Sequence, residues 1–412
     1  MQGNKQRSGI FYGWIITGLG CLVMAVIMGI IYNCFSQFIK PVGDALGYSR
    51  QQMSICQTLI SLSQVIIGLL WGKILSKIGL KKYMLIIAVI APINFALYST
   101  ANSLWQLYLH SAISGVAQAS LCVLPFSMIL ANWFNDQRGT AIGIAFMGSG
   151  LGGMIFNPVA VALIERFGWR TAFLVLGCIM AVIAIPCTLL IRIRPEDMGL
   201  EPLGGYITHN VADAGNAEGY TLAEAKKMPA LWLLAACTLL VNSGLSSLVQ
   251  VLSPHLTDNG YSTAFAATMV SVAMAAMACG KILLGRLYDI LGVRKATFLS
   301  LACAFCGHMG IIFCTVKPML ACIILGIGLG CSFGTVANPI IVQTIFGKKD
   351  YAAIVGIFTA MGNLGGVIAP TLNGTAYDLF GSYNPAFYLW AAFVTMAAAT
   401  YFVKLPKNKT AK

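Results

Sequence analysis

A chain of 412 residues that is 58% hydrophobic and 9% charged cannot present a water-compatible surface, since soluble domains carry about 25% charge. Its net charge of +13 lies in short clusters between apolar runs. That pattern excludes a basic stripe for nucleic acid and marks a membrane topology signal.

A spanning helix needs about 20 apolar residues. Apolar segments occur in chain order at residues 11–39, 52–71, 83–100, 104–131, 138–164 and 171–191. Six more come after them at 230–254, 262–284, 296–316, 318–345, 351–377 and 385–403. The first run follows ten polar residues and ends without a small-residue cleavage pattern, so it reads as a helix rather than a signal peptide. Residues 192–229 carry Glu196, Asp197, Glu201, Asp213, Glu218 and Glu224 and read as a linker. The expected fold is an all-α membrane protein with twelve transmembrane helices in two pseudo-symmetric six-helix halves. The expected division is 1–191, a linker at 192–229, and 230–412.

Threading these spans puts 20 of the 26 Lys and Arg residues on one face. Five lie on the other, Lys40, Arg50, Arg166, Arg170 and Lys317, and Lys281 falls inside a span. The bias predicts cytoplasmic termini and a cytoplasmic linker, in a multi-pass protein of a cell inner membrane. The 13 cysteines lie mostly inside apolar runs. Cys303 and Cys306 form a CxxC with no second ligand pair, so these residues read as small apolar packers. No metal, cofactor or enzymatic site is expected, because no nucleophile–base pair or metal-ligand set can be assembled.

The two halves repeat at an offset of about 213 residues. Gly47-Tyr48-Ser49 returns as Gly260-Tyr261-Ser262, and Gly72, Gly79, Lys81 and Lys82 return as Gly285, Gly292, Arg294 and Lys295. Leu151-Gly152-Gly153 returns as Leu364-Gly365-Gly366, Phe167-Gly168 as Phe380-Gly381, and Glu165 as Asp378. Each half has an even number of spans, so the halves are parallel repeats about an axis along the membrane normal. Transporters of this plan bind substrate near the midplane, between the halves. Gly139 and Gly143, Gly148 and Gly152, and Gly326, Gly330 and Gly334 recur at four-residue spacing, which lets helix backbones approach closely.

The segments GKILSKIGLKK (72–82) and GRLYDILGVRK (285–295) resemble the two copies of the loop motif of the major facilitator superfamily. The first copy departs from that motif, with Ser76 where an Asp is usual; the second keeps Asp289. FYGWIITG (11–18) and RGTAIGIAFMGSGLGGMIFNPVAVALIERFGWRTAF (138–173) resemble the monocarboxylate transporter and oxalate/formate antiporter branch. The resemblance implies transport of small organic anions, often with a proton.

Lys281 lies four residues before Gly285, about 6 Å or one helical turn from the loop motif. A charge at that depth costs about 2.5–3.5 kcal/mol and usually marks a substrate path. All 13 acids fall in loops or at helix ends, so the economical reading is that an anionic substrate supplies the counter-ion. The alternative is a lysine that snorkels to the interface. In the organic-anion branch, an arginine at this spacing holds the substrate carboxylate; Lys281 keeps the charge but not the planar fork.

Further cavity candidates are Tyr32, Asn33, Gln37, Gln250, Met277, Asn338 and Asn363. Asn242, Ser246, Gln250 and Ser253 recur on one helical face, Met274 and Met277 share a face with Lys281, and Gln37 is the repeat mate of Gln250. His110, His255 and His308 are the intramembrane histidines and read as packed rather than as proton relays; His255 is expected near water at the outer end of the seventh span. The expected function is secondary transport by alternating access of small monocarboxylates or related organic anions, such as lactate, pyruvate, formate or oxalate, as anion/proton symport or anion exchange. The expected partners are the organic anion, with or without a proton, and the lipid bilayer, with no nucleic acid and a monomeric functional unit. The alternative is a drug or a neutral metabolite as cargo.

Overall fold

The computed structural model describes residues 11–48, 50–205 and 219–405. Ser49, the linker acids Asp213 and Glu218, and the terminal residues Lys5, Arg7, Lys407, Lys409 and Lys412 lie outside these. Among the described residues, ten helices are long and apolar enough to cross a membrane. Two of these are each a pair joined at a glycine. Arg138–Leu190 breaks at Gly168 (φ 79°) and Thr263–Ile312 at Gly292 (φ 75°). The result is twelve spans.

In the first half α1 is Tyr12–Leu46, α2 Arg50–Ile78, α3 Leu80–Leu97 and α4 Leu104–Trp133, with α5 at 138–167 and α6 at 169–190. In the second half α7 is Pro229–Gln250, α8 263–291, α9 293–312, α10 Met319–Phe346, α11 Tyr351–Phe380 and α12 Asn384–Lys404. Large apolar side chains such as Leu69, Ile93, Val182 and Val403 are exposed on the outside, where lipid would cover them.

The repeated loop motif has a physical explanation. Gly79 (φ 80°) and Gly292 (φ 75°) adopt a left-handed conformation open to glycine, and reverse the chain from α2 to α3 and from α8 to α9 without a longer loop. The basic residues just after each glycine hold the last helix of each half. Lys81 Nζ donates to the carbonyls of Thr188 (2.5 Å), Leu189 (2.9 Å) and Ile191 (2.5 Å) at the end of α6, satisfying carbonyls that have no partner within the helix. Its repeat mate Arg294 stacks over the Phe402 ring of α12 at 3.9 Å.

The halves meet along two seams, α5 against α8 and α2 against α11. Gly139 lies against Gly285, Gly143 against the Lys281 carbonyl, and Gly68 against Gly356, each with no room for a Cβ. These approaches sit toward the face that carries the lysine and arginine clusters, called here the basic face. There Asp289 accepts hydrogen bonds from Gly139 N (2.7 Å), Thr140 N (2.7 Å) and Thr140 Oγ1 (2.6 Å) at the start of α5. A carboxylate is favoured at a helix N-terminus by both the free N–H groups and the helix dipole. Lys348 Nζ reaches Asn135 Oδ1 across the halves at 3.2 Å. The structure therefore holds its basic face closed.

Candidate functional site

A cavity of about 290 Å³ lies between the halves, at the small end of ligand pockets, which run about 300–1,000 Å³. Lys281, Tyr32, Asn33, Gln250, Met277, Asn338 and Asn363 line it. Among the described lining residues, Lys281 is the one charged side chain, and none is a carboxylate.

Lys281 does not snorkel. It is 3% exposed, and its Nζ donates to Ser149 Oγ of α5 at 2.5 Å. The Ser149 hydroxyl donates its own proton to the Phe146 carbonyl at 2.9 Å, so its lone pairs face the ammonium. Asn33 Nδ2 donates to the Ser149 carbonyl at 3.0 Å, tying α1 to the same turn. The cation is thus positioned across the seam by the opposite half, and its hydrogen-bond partner there is neutral.

The remaining wall is rich in amides and hydroxyls. Asn242 donates to the Thr238 carbonyl (2.9 Å) and Asn338 to the Gly334 carbonyl (3.2 Å); Asn338 Oδ1 has no hydrogen-bond partner. Gln64 Nε2 donates to Gln118 Oε1 at 2.9 Å, and both residues line the cavity. The sequence reading missed Gln64, Gln118 and Ser149. The two glutamines could have been found as polar residues within the spans of α2 and α4. Ser149 lay in a glycine-rich run read for its family resemblance and for the packing of its glycines, not for its serine.

Two sequence expectations fail on helix irregularities. Gln37 does not line the cavity, although its repeat mate Gln250 does. A π turn at Gly29–Asn33 precedes Gln37 in α1; the extra residue per turn rotates the later part of α1 relative to a regular helix. Ser253 is likewise absent from the wall, because α7 ends at Gln250 and Val251 (φ −104°, ψ 6°) breaks the helix before it.

His255 is not near water. It is 2% exposed, hydrogen-bonded to the Ile311 carbonyl through Nε2 (3.0 Å), and packed edge-on against Phe387. The short helix Leu252–Asp258 tucks it under the end of α9. His110 pairs with Asn94 Oδ1 (2.9 Å) and His308 with the Ala304 carbonyl (2.8 Å), and none of the three lines the central cavity. His255→Gln is expected to leave the transport rate and its pH profile unchanged. It should lower the melting temperature slightly, because a buried hydrogen bond contributes about 0.5–1.5 kcal/mol. A lost pH dependence with substrate binding preserved would instead identify His255 as a relay.

The family model of the Major Facilitator Superfamily matches residues 21–338. The chain belongs to the major facilitator superfamily. Within the superfamily it resembles the monocarboxylate transporters. It is 23% identical to monocarboxylate transporter 12-B of Danio rerio over 94% of this chain and 87% of that one. It is 24% identical to monocarboxylate transporter 12 of Mus musculus (96% and 86% covered) and to monocarboxylate transporter 13 of Rattus norvegicus (96% and 89%). The facilitator fold is shared with FucP, solved in an outward conformation, at a TM-score of 0.71 and 13% identity, with 96% of this chain and 100% of that one covered. It is shared also with the proton:xylose symporter XylE at a TM-score of 0.72 and 15% identity, with 96% of each chain covered. The protein is a membrane transporter rather than an enzyme.

Proposed function

We propose that this transporter carries small monocarboxylates or related organic anions, such as lactate, pyruvate, formate or oxalate, by alternating access around Lys281. One observation carries the reading: a buried ammonium, held by the neutral Ser149 hydroxyl, on the wall of a small cavity with no lining carboxylate. An entering carboxylate would supply the missing negative charge. The small volume argues against drug-sized cargo. In this reading the basic face is cytoplasmic, as the positive-inside bias predicts. Residues 1–191 and 230–412 are the rocking bodies, 192–229 is their tether, and one chain is the functional unit.

The test is a thermal-shift screen of the purified chain against short carboxylates and neutral sugars. A ligand at a hundred times its Kd stabilises by about 2.7 kcal/mol, so at least one monocarboxylate should give a saturable rise in melting temperature. Counterflow of that compound in proteoliposomes, with and without a pH gradient, separates proton symport from anion exchange. A rise with sugars alone would favour the second reading, a neutral hydroxylated solute, for which the amide-rich wall at Asn33, Asn242, Asn338 and Asn363 also provides partners.

A further inference from the structure

A second, larger cavity of about 1090 Å³ opens on the basic face between α2 and α11. Six cationic side chains line it in addition to the engaged Lys81: Lys73, Lys82, Arg194, Lys226, Lys348 and Lys349. Among the described lining residues the one acid is Asp350, and its carboxylate already accepts the Leu222 N–H at 2.7 Å. The lining therefore carries an excess of positive charge, with Glu224 near Lys349 and Glu196 near Lys348 outside it.

The opposite end of the cleft is apolar. Leu69, Ile357 and Met361 form its wall, and Leu69 is 56% exposed. Leu69 lies nine residues from the end of α2 and Met361 ten from the start of α11. At 1.5 Å per residue the wall extends about 14 Å into the membrane, close to half of a hydrocarbon core about 30 Å thick. Trp232 lines the same cleft and is half exposed, as tryptophans at the headgroup level are.

The two seams differ at equivalent positions of the repeat. In the second half the Asp289 carboxylate fills the angle between the loop motif and the start of α5. The equivalent angle in the first half lies between Ser76, the repeat mate of Asp289, and Ala352 and Ala353 of α11. All three line the cavity. Where one seam closes on an internal carboxylate, the other opens into a cationic cleft.

We propose that this cleft binds the headgroup of an anionic phospholipid, with the acyl chain along the wall of Leu69, Ile357 and Met361. A soluble phosphate would meet the lysines but leave the apolar wall unfilled, so the lipid is the occupant that matches both ends. Such a lipid bridges α2 and α11 across the seam where Ser76 stands in place of the Asp289 carboxylate.

The experiment is native mass spectrometry of the purified full-length transporter titrated with phosphatidylglycerol, phosphatidylcholine or inorganic phosphate. Each basic side chain near a membrane surface is worth about 1 kcal/mol toward anionic lipid. The double variant Lys73→Gln/Lys349→Gln should therefore retain phosphatidylglycerol about tenfold or more less tightly. The control Lys77→Gln/Lys227→Gln removes two charges from the same face outside the cleft and should bind as wild type does. Lys73→Arg/Lys349→Arg should restore retention, which separates loss of charge from misfolding. Equal losses in cleft and control variants would reduce the effect to general surface charge and overturn the proposal. Equal retention of phosphatidylcholine, or displacement of the lipid by millimolar inorganic phosphate, would overturn it as well.

Discussion

Lys281→Gln is expected to abolish saturable monocarboxylate counterflow while the protein still folds and inserts. A carboxylate about 4 Å from an ammonium gains about 4 kcal/mol at an effective dielectric of 20, equivalent to roughly a thousandfold in affinity. Glutamine keeps a hydrogen-bond donor for Ser149 but supplies none of that attraction. Folding should survive, since the substitution removes a buried charge whose hydrogen-bond partner, Ser149, is neutral. Lys281→Arg should retain partial transport and shift preference toward substrates that accept two parallel hydrogen bonds. The measurement is counterflow of labelled carboxylates in proteoliposomes for wild type and both variants. Wild-type rates in the Gln variant would remove the main physical support for an anionic substrate.

Asp289→Asn is expected to loosen the closed basic face. The carboxylate accepts three hydrogen bonds within 2.7 Å from the start of α5. Hydrogen bonds to charged groups contribute about 1.5–3 kcal/mol each, and the amide of Asn cannot accept all three through one oxygen in the same geometry. Even one lost bond should lower the ratio of closed to open molecules about tenfold or more. A bifunctional maleimide crosslink between Asn135→Cys and Lys348→Cys, in a background without native cysteines, reports closure, because the longer native side chains meet across the halves at 3.2 Å. Its formation should slow in the Asp289→Asn background. An unchanged rate would mean that the glycine contacts hold the seam without the carboxylate.

The twelve spans were legible because a run of apolar residues in a membrane has few alternatives to a helix. The repeat was legible because Gly79 and Gly292 need the same backbone conformation at the same step of each half. Lys281 stood out because a charge is conspicuous in an apolar run. What the sequence hid were departures from regular helix. The π turn before Gln37 and the break at Val251 each move a side chain off the face that simple counting assigns. Neither has a residue signature as strong as a loop glycine. The burial of His255 was hidden for a related reason, since it depends on a short helix folding back under α9 rather than on the residues beside it.

At the seam between α5 and α8, occupancy and closure trade against each other. The backbone of Lys281 is packed against Gly143, and its side chain holds Ser149 of the same opposing helix. The residue is at once part of the cavity wall and part of the contact that keeps the halves together. Linkage then makes the two inseparable. A ligand that draws the ammonium away from Ser149 weakens the closed seam, and a tighter closed seam weakens that ligand by the same free energy. In the proposed reading the gate and the binding site share one side chain, so neither can be tuned without retuning the other.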